Sequence, residues 1–522
     1  MNQKPNYHQH EEFINRTEKL AEIRALALDP YPARFVPNAH SDILNKKYLG
    51  QSIGTSEDAE LGKTDEVILA GRLVLFRSMG KNAFGQIQDQ SGRIQVMFNR
   101  ETSKVNGLNH ESLTSFKFIE KKIDLGDIIG LKGHLFRTQK GELTLFVKEL
   151  TLLTKTLLPL AEKHAGLSDK ELRYRKRWLD LISHDEVRRT FHIRSEIVKF
   201  VREYLHELEF LEVETPVLQS IYGGAEAKPF ETKLNALDQK MFLRISLEIP
   251  LKKLIIGGMH RVFELGKVFR NEGIDRSHNP EFTMMEAYAA YWDYHDMMHF
   301  VENLFEKLAL KLFGKTEIPV YSAESGQSVL IELKAPWKRM TMKEALLNYA
   351  NLNVDSLSDH EMCKLLEDSG HMDPKKLPTL SRGLLIAALF EVKAEPRLTQ
   401  PHHIINHPIE TTPLCKLHRN PEEREAGLVE RFESFILSQE ICNAYTELND
   451  PELQRKLLEE QATRRESGDE EASPMDEEFI EAICQGMPPT GGVGIGIDRL
   501  VMIFTEAASI RDVLYFPWMK PL

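Results

Sequence analysis

The sequence predicts an α+β protein in two unlike parts: a small N-terminal β-barrel, then a larger domain that mixes strands and helices. Three observations lead there. The chain has 522 residues, more than one ordinary hydrophobic core organises. Residues 66–154 contain five short strand-like runs, with apolar residues alternating in Ile94/Val96/Phe98 and Leu143/Leu145/Val147, the period of a half-buried strand. Beyond residue 181 the periodicity changes to three, four and seven, and the strand-like pieces that follow do not read as repeated βαβ units.

Composition narrows the class. Apolar residues make up 42% and charged residues 28%, ordinary for a soluble globular protein. No apolar run approaches the ~20 residues that span a bilayer, and Met1–Glu12 lacks the apolar stretch of a secretory signal. The four cysteines, Cys363, Cys415, Cys442 and Cys484, form no C-x-x-C pair, so neither a zinc site nor a disulfide framework is indicated. A cytoplasmic protein without a membrane partner is expected. The net charge of −12 argues weakly against nonspecific nucleic-acid binding, yet phosphate contacts depend on local basic patches. Arg173, Arg175, Lys176 and Arg177 form one such cluster, and Arg188, Arg189 and Arg194 another; a solvated face explains either equally well.

Taken in order, residues 1–62 form a polar extension, with a helical stretch near Glu11–Ala27. Residues 63–155 hold the strands Val67–Phe76, Gly85–Asp89, Arg93–Phe98, Asp127–Leu135 and Leu143–Val147, separated by turns at Asp89–Gly92 and Thr138–Gly141; an oligonucleotide-binding barrel is one candidate. Residues 156–180, with Pro159 and Gly166, read as a linker. In 181–522, Val187, Phe191, Val198, Val201, Leu205 and Leu208 mark a long amphipathic helix, followed by a short strand Leu211–Val217 containing Pro216. Lys240–Tyr291 alternates strand-like pieces with turns. An insertion near 305–400 is mostly helical, and 464–478 is a charged loop. A glycine-rich strand, Gly491–Ile497, and a helix from Asp498 follow.

Three segments carry chemistry. Phe269-Arg270-Asn271-Glu272-Gly273, Arg276 and His278–Glu286 read as strand, loop, strand. An arginine at a strand end can hold a phosphate through paired hydrogen bonds. Arg276 and His278 could meet further phosphates, Phe282 offers a face for a base, and Glu286 and Tyr288 point to one side of the second strand. Each residue alone is more often structural, with Phe282 in a core; together they look like a nucleotide site. In Gly491-Gly492-Val493-Gly494-Ile495-Gly496 the glycines suggest a strand stripped of side chains so that a ligand can lie against its backbone, with Arg499 opening the next helix. Glu433 and Glu440 could bridge Mg2+ to nucleotide phosphates; surface acid is the competing explanation.

This ordered set resembles the three motifs of class II aminoacyl-tRNA synthetases: Phe210–Leu218 motif 1, Arg270–Glu286 motif 2, Gly491–Arg499 motif 3. The details are most similar to the bacterial lysyl-tRNA synthetases, through Gly223-Gly224-Ala225, Arg270-Asn271-Glu272-Gly273, His278-Asn279-Pro280-Glu281-Phe282-Thr283 and Asn443–Asp450. The resemblance runs from about residue 60 to the C-terminus. It implies a catalytic domain on an antiparallel sheet, preceded by an oligonucleotide-binding (OB-fold) barrel that reads the anticodon. The implied reaction joins L-lysine to ATP as lysyl-adenylate and transfers lysine to the 3′ end of tRNA(Lys), in a homodimer joined through motif 1.

The resemblance also implies roles. Arg270 and Arg499 are the catalytic pair, Arg270 at the α-phosphate and Arg499 across the adenine from Phe282. Glu272 contacts the adenine, His278 the outer phosphates, and Glu433 and Glu440 hold Mg2+, Glu433 also serving ATP. Gly224 and Glu248 receive the substrate α-amine. Glu286, Tyr288 and Glu447 receive the side-chain ammonium, Asn443 lies near the carboxylate, and Gly496 completes the substrate group. In the barrel, Phe84 stacks on an anticodon base and Gln95 reads one, with Arg77 and Glu142 beside them; a place for Phe84 in the barrel core is the competing reading.

Two stretches depart from the family pattern. Ser246-Leu247-Glu248-Ile249-Pro250 stands where Ala-Pro-Glu-Leu-Tyr is usual, and Pro250 removes a backbone donor. Pro401-His402-His403-Ile404 replaces a Pro-Thr-Phe-Ile-like run, and its histidines do not read as a metal site. The competing functions are an aspartate or asparagine enzyme of the same subclass, a protein lysylase on the same catalytic domain, and an inactive RNA-binding or regulatory relative. Glu286 and Glu447 oppose the first, the barrel the second, and the set Arg270, Glu433, Glu440 and Arg499 the third.

Overall fold

In a computed structural model, residues 6–160, 168–323, 325–370, 372, 374, 377–467 and 471–521 are described. Gly166 of the expected linker, and Gly468, Asp469 and Glu470 of the expected charged loop, lie outside them. The chain divides into two compact units, Met1–Asp169 and Lys170–Leu522.

In the first unit, β1 (Glu66–Met79), β2 (Asn82–Gln88), β3 (Arg93–Asn99), β4 (Ile128–Arg137) and β5 (Leu143–Thr154) form the barrel. Antiparallel pairing joins β3 to β2, β2 to β1, β1 to β4 and β4 to β5, and a parallel pairing of Gln95–Phe98 with Thr144–Val147 closes the ring. Ala83, Ile87, Ile94, Val96 and Phe98 fill its interior. The polar N-terminal segment is also part of this core: it contributes Ile23, Leu28, Leu44 and Tyr48. Phe84 and Gln95 have the opposite parity from these inward residues and face outward. Phe84 is half-buried against Ala59, Met97, Phe136 and Phe146, and Arg77 is its direct cross-strand partner. With the Gln95 amide oriented to donate, its nitrogen lies 3.1 Å from Glu142 Oε1. Arg77, Phe84, Gln95 and Glu142 therefore share one outer patch rather than the core.

The second unit is built on an eight-stranded sheet. Its strands in chain order are β6 (Leu211–Glu212), β7 (Arg261–Phe269), β8 (Glu281–Ala290), β9 (Lys338–Thr341), β10 (His402–Pro408), β11 (Leu428–Ile436), β12 (Gln439–Thr446) and β13 (Thr490–Gly496). In space they run β9-β10-β11-β12-β13-β8-β7-β6, antiparallel except for the outermost pair at each edge. The two faces of this sheet differ in kind. Phe263, Met285, Ala287, Phe432, Ala444, Val493 and Ile495 join the large core with the long helix α1 (Asp185–Glu207) and the C-terminal helix Ile497–Thr505. The intervening residues Glu264, Glu286, Tyr288, Arg431, Glu433, Asn443, Tyr445, Gly492 and Gly494 belong to the other face. Period two in the backbone thus separates packing from chemistry.

Several expectations are corrected. The strand Leu211–Val217 is only Leu211–Glu212, and a second two-residue strand, Leu218–Gln219, pairs elsewhere; Pro216 between them has no amide to donate. Lys240–Tyr291 contains a helix, α2 (Glu248–Ile256). Pro250 sits in its first turn, where an amide would have no intrahelical acceptor, so the missing donor leaves the geometry intact. Arg464–Glu466 end the helix Pro451–Glu466 instead of opening a loop. The basic clusters are largely neutralised internally: Arg173 and the buried Arg177 pair with Asp180, Arg175 with Glu171, Arg188 with Asp185, and Arg194 with Asp498.

Candidate active site

The chemical face of the sheet opens into a pocket of about 450 Å³. It is lined by Gly224, Glu248, Arg270, Glu272, His278, Phe282, Glu286, Tyr288, Glu433, Glu440, Asn443, Gly496 and Arg499. Residues drawn from sequence positions 224 to 499 thus converge in one place. Glu447 alone of the proposed set does not line the pocket; it lies fully buried against Tyr288 and Gly492. Arg276, exposed in its loop, is not part of the lining either.

The pocket has two electrostatic ends. At one end Arg270 follows β7, with its guanidinium 5.3 Å from the centre of the Phe282 ring. Arg499, at the start of the last sheet-packed helix, donates to the Glu440 carbonyl at 2.5 Å, and its Nη2 lies 3.4 Å from His278 Nε2. His278 Nδ1 is 2.8 Å from Asp275 Oδ2. Glu433 and Glu440 stand here with Arg431, whose Nη2 is 2.5 Å from Glu433 Oε1 and whose Nε donates to Asn443 Oδ1 at 3.1 Å. Burial, then the charge of Glu433, pushes the Glu440 carboxyl up. The sequence reading missed Arg431, although its spacing of two from Glu433 put both on one face of β11.

The other end is anionic and buried. Glu286, 4% exposed, accepts hydrogen bonds from Ser246 Oγ and the Leu247 amide, both at 2.9 Å, and from Tyr288 Oη at 3.1 Å. The departing stretch Ser246–Pro250 therefore supplies donors of its own: Ser246 Oγ also accepts from the Glu248 amide at 3.1 Å. Tyr445 Oη lies 3.4 Å from Glu248 Oε2. Burial raises Glu286 to about 7 and Glu447 to about 8, and the charge of Glu248 adds to both. Glu447 Oε1 is buried without a hydrogen-bond partner among the described residues.

Two glycines are required by space. Gly224 has φ +86°, and a Cβ there would fall 2.9 Å from Ser246 Oγ. A Cβ on Gly492 would fall 1.9 Å from Glu447 Oε1 and 2.5 Å from Tyr288. Gly492, Gly494 and Gly496 of β13 all line the pocket, and at Gly492 the room beside the backbone is shared with the protein's own side chains. His402 and His403, the second departure, hydrogen bond to Tyr349 and Ser434, at 2.6 and 2.8 Å, and His403 Nε2 lies 3.3 Å from Glu302.

Comparison with known proteins decides the family. Residues 169–520 match the family described as tRNA synthetases class II (D, K and N), and residues 67–153 match the OB-fold nucleic acid binding domain. The chain belongs to the class II tRNA synthetases. It is 56% identical over 514 residues to a lysine–tRNA ligase of Chlamydia caviae, covering 98% of this chain and 97% of that one. It is 43% identical over 507 residues to lysine–tRNA ligases of Trichormus variabilis, covering 97% and 87%, and of Clostridium novyi, covering 97% and 94%. The expected family and fold, an OB-fold barrel followed by a class II catalytic domain, are those observed.

The glycine geometry gives a direct test on this synthetase. Gly492→Ala must displace Glu447 and Tyr288, and should lower amino-acid-dependent ATP–pyrophosphate exchange by about 10²-fold, the cost of a ~1 Å misplacement in an active site. Gly494→Ala, where the added carbon would meet nothing nearer than 3.6 Å, should retain most of the exchange.

Proposed function

We propose that this synthetase activates L-lysine with ATP and transfers it to tRNA(Lys), and that the two ends of the pocket divide the work. The observation that carries the lysine reading is the anionic pocket end: Glu286 and Tyr288 line it, and Glu447 lies buried against Tyr288, with Oε2 on Lys252 and Oε1 without a hydrogen-bond partner among the described residues. Buried carboxylate oxygens without donors are costly, and an ammonium supplies up to three donors and a charge. The lysine–tRNA ligases named above, 56% and 43% identical over nearly the whole of this chain, support the same conclusion. An aspartate or asparagine substrate would bring a carboxylate or a neutral amide to this anionic end.

At the nucleotide end, Arg270 and Arg499 are the catalytic residues of the proposal. Arg270 meets the α-phosphate, and Phe282 and Arg499 enclose the adenine, with Glu272 and His278 toward its edge and the outer phosphates. Attack by the substrate carboxylate needs no general base, because the nucleophile is already ionised; alignment and charge neutralisation carry the step. Glu433 and Glu440 fit Mg2+, which takes one or two carboxylates together with phosphate oxygens. Burial and the charge of Glu433 both push Glu440 up, and a cation held between the two carboxylates would offset that push. When bound, Mg2+ would offset phosphate charge. Gly224 and Glu248 meet the α-amine, Glu286, Tyr288 and Glu447 the side-chain ammonium, with Asn443 and Gly496 alongside the rest of the substrate.

The barrel is proposed to read the anticodon through Phe84 and Gln95, with Arg77 and Glu142 beside them, since single-stranded bases are recognised by stacking and by contacts to base edges. A homodimer through α1 and β6 is proposed as well: β6 is a sheet edge of two residues, and Leu211, Val217 and Leu218 near it are exposed, a surface that a second copy would cover. No described helix is long and apolar enough to cross a membrane, and a cytoplasmic location is proposed with the rest.

Two measurements check this function. ATP–pyrophosphate exchange with each of the twenty amino acids should be supported by lysine above all others; faster exchange with aspartate, asparagine or a neutral residue would overturn the assignment. Phe84→Ala should weaken tRNA charging by about 1–3 kcal/mol, the worth of one base stack, and leave lysine-dependent exchange without tRNA unchanged. A joint fall of both activities would return Phe84 to a purely structural role.

A further inference from the structure

Lys252 is a buried basic side chain behind the anionic end of the pocket. It lies one helical turn after Glu248 on α2, and its ammonium bridges Glu248 Oε1 and Glu447 Oε2. Lys252 and Glu447 are 0% exposed and Glu248 is 2% exposed. The rings of Tyr445 and Phe479 lie 6.0 Å from the Lys252 ammonium. Burial pulls an ammonium toward its neutral form, but here the charges of Glu248 and Glu447 outweigh burial and hold Lys252 protonated.

This placement joins two subsites. In the proposed function Glu248 meets the substrate α-amine and Glu447 its side-chain ammonium, so a single protein cation touches the receptors of both amines. It also sets a charge count. When ionised, Glu248, Glu286 and Glu447 bring three negative charges against the one positive charge of Lys252, an anionic excess that two further ammonium groups would offset. Lysine brings two ammonium groups to this end, while its carboxylate is directed to the nucleotide end in the proposed function. A pocket without Lys252 would call for three, and would leave one carboxylate protonated or unpaired beside a diamine substrate.

We propose that Lys252 is a positioning and specificity-determining residue: a permanent internal ammonium that orients Glu248 and Glu447 together and tunes the site to an α-amino acid with one distal ammonium. The proposal rests on the lysine reading given above. It assigns Lys252 no contact with the reacting atoms; it acts through the two carboxylates.

The test compares wild-type protein, Lys252→Met, Glu447→Gln and the double variant in ATP–pyrophosphate exchange. Lysine exchange by the wild type checks the underlying reading: without it that reading fails, whatever Lys252 does. Given that exchange, Lys252→Met should raise the lysine KM by about tenfold or more while the ATP KM stays within about twofold, the pattern of a lost buried charge pair at one substrate only. In the double variant the removed cation matches a removed carboxylate, so its lysine KM should be no higher than that of Glu447→Gln alone, the non-additivity of two groups that act as one. An unchanged lysine KM in Lys252→Met, a proportional rise in both KM values, or multiplied effects in the double variant would overturn the proposal. Should Lys252→Met fail to fold, the comparison of the double variant with Glu447→Gln decides alone.

Discussion

Removing a carboxylate from water costs several kcal/mol unless donors or cations replace the water, and the catalytic domain buries three of them at, or just behind, one pocket end. Glu286 is held by Ser246, the Leu247 amide and Tyr288, while Glu248 and Glu447 share the ammonium of Lys252. Much of the surrounding architecture serves this constraint. Gly492 leaves the space into which Glu447 and Tyr288 fit, and Gly224 makes the close approach to Ser246 and Glu248. Helix α2 begins at Glu248 and delivers Lys252 one turn later. Even so, the carboxylates remain short of positive charge, and burial raises Glu286 and Glu447 toward neutrality. That residual deficit is the physical form of amino-acid selection in the proposed function.

The opposite end of the pocket solves the reverse problem. Arg270, Arg499 and Arg431 concentrate positive charge at the end that the proposed function gives to the nucleotide, and Glu433 and Glu440 stand among them. Both ends sit on one sheet because alternate residues of β8, β11, β12 and β13 face the pocket while their neighbours join the helical core. The separation keeps the chemical groups on a rigid frame, which suits a reaction that depends on alignment.

Much of this was legible in the sequence, for physical reasons. Strand parity places Glu286 beside Tyr288, and the barrel strands announce themselves by alternation between turns. The motif segments carry residue types that a nucleotide demands. What stayed hidden depended on contacts that span the chain or on elements without a periodic signal. Helix α2 is apolar on several sides and holds a proline, so it read as strand-like pieces, and the Glu248–Lys252 pairing could not be seen. The partner of that pair, Glu447, lies 195 residues further on. Arg431 was masked among dense charges. The basic clusters near Arg177 and Arg188 looked like a surface, because nothing local shows that Asp180 and Asp185 neutralise them.

The central claim, that substrate ammonium groups complete an under-neutralised set of buried carboxylates, makes lysine binding release protons. Below a raised carboxylate pKa the empty pocket holds protons; arriving ammonium groups favour the ionised forms and expel them. Calorimetric titration of lysine at pH 7, in buffers of different ionisation enthalpy, measures this directly. With Glu286 at about 7 and Glu447 at about 8, release on the order of one proton per lysine is expected, diminishing above pH 8 as both groups ionise before binding. A binding heat independent of the buffer at pH 7 would mean that no proton is exchanged, and would contradict the account.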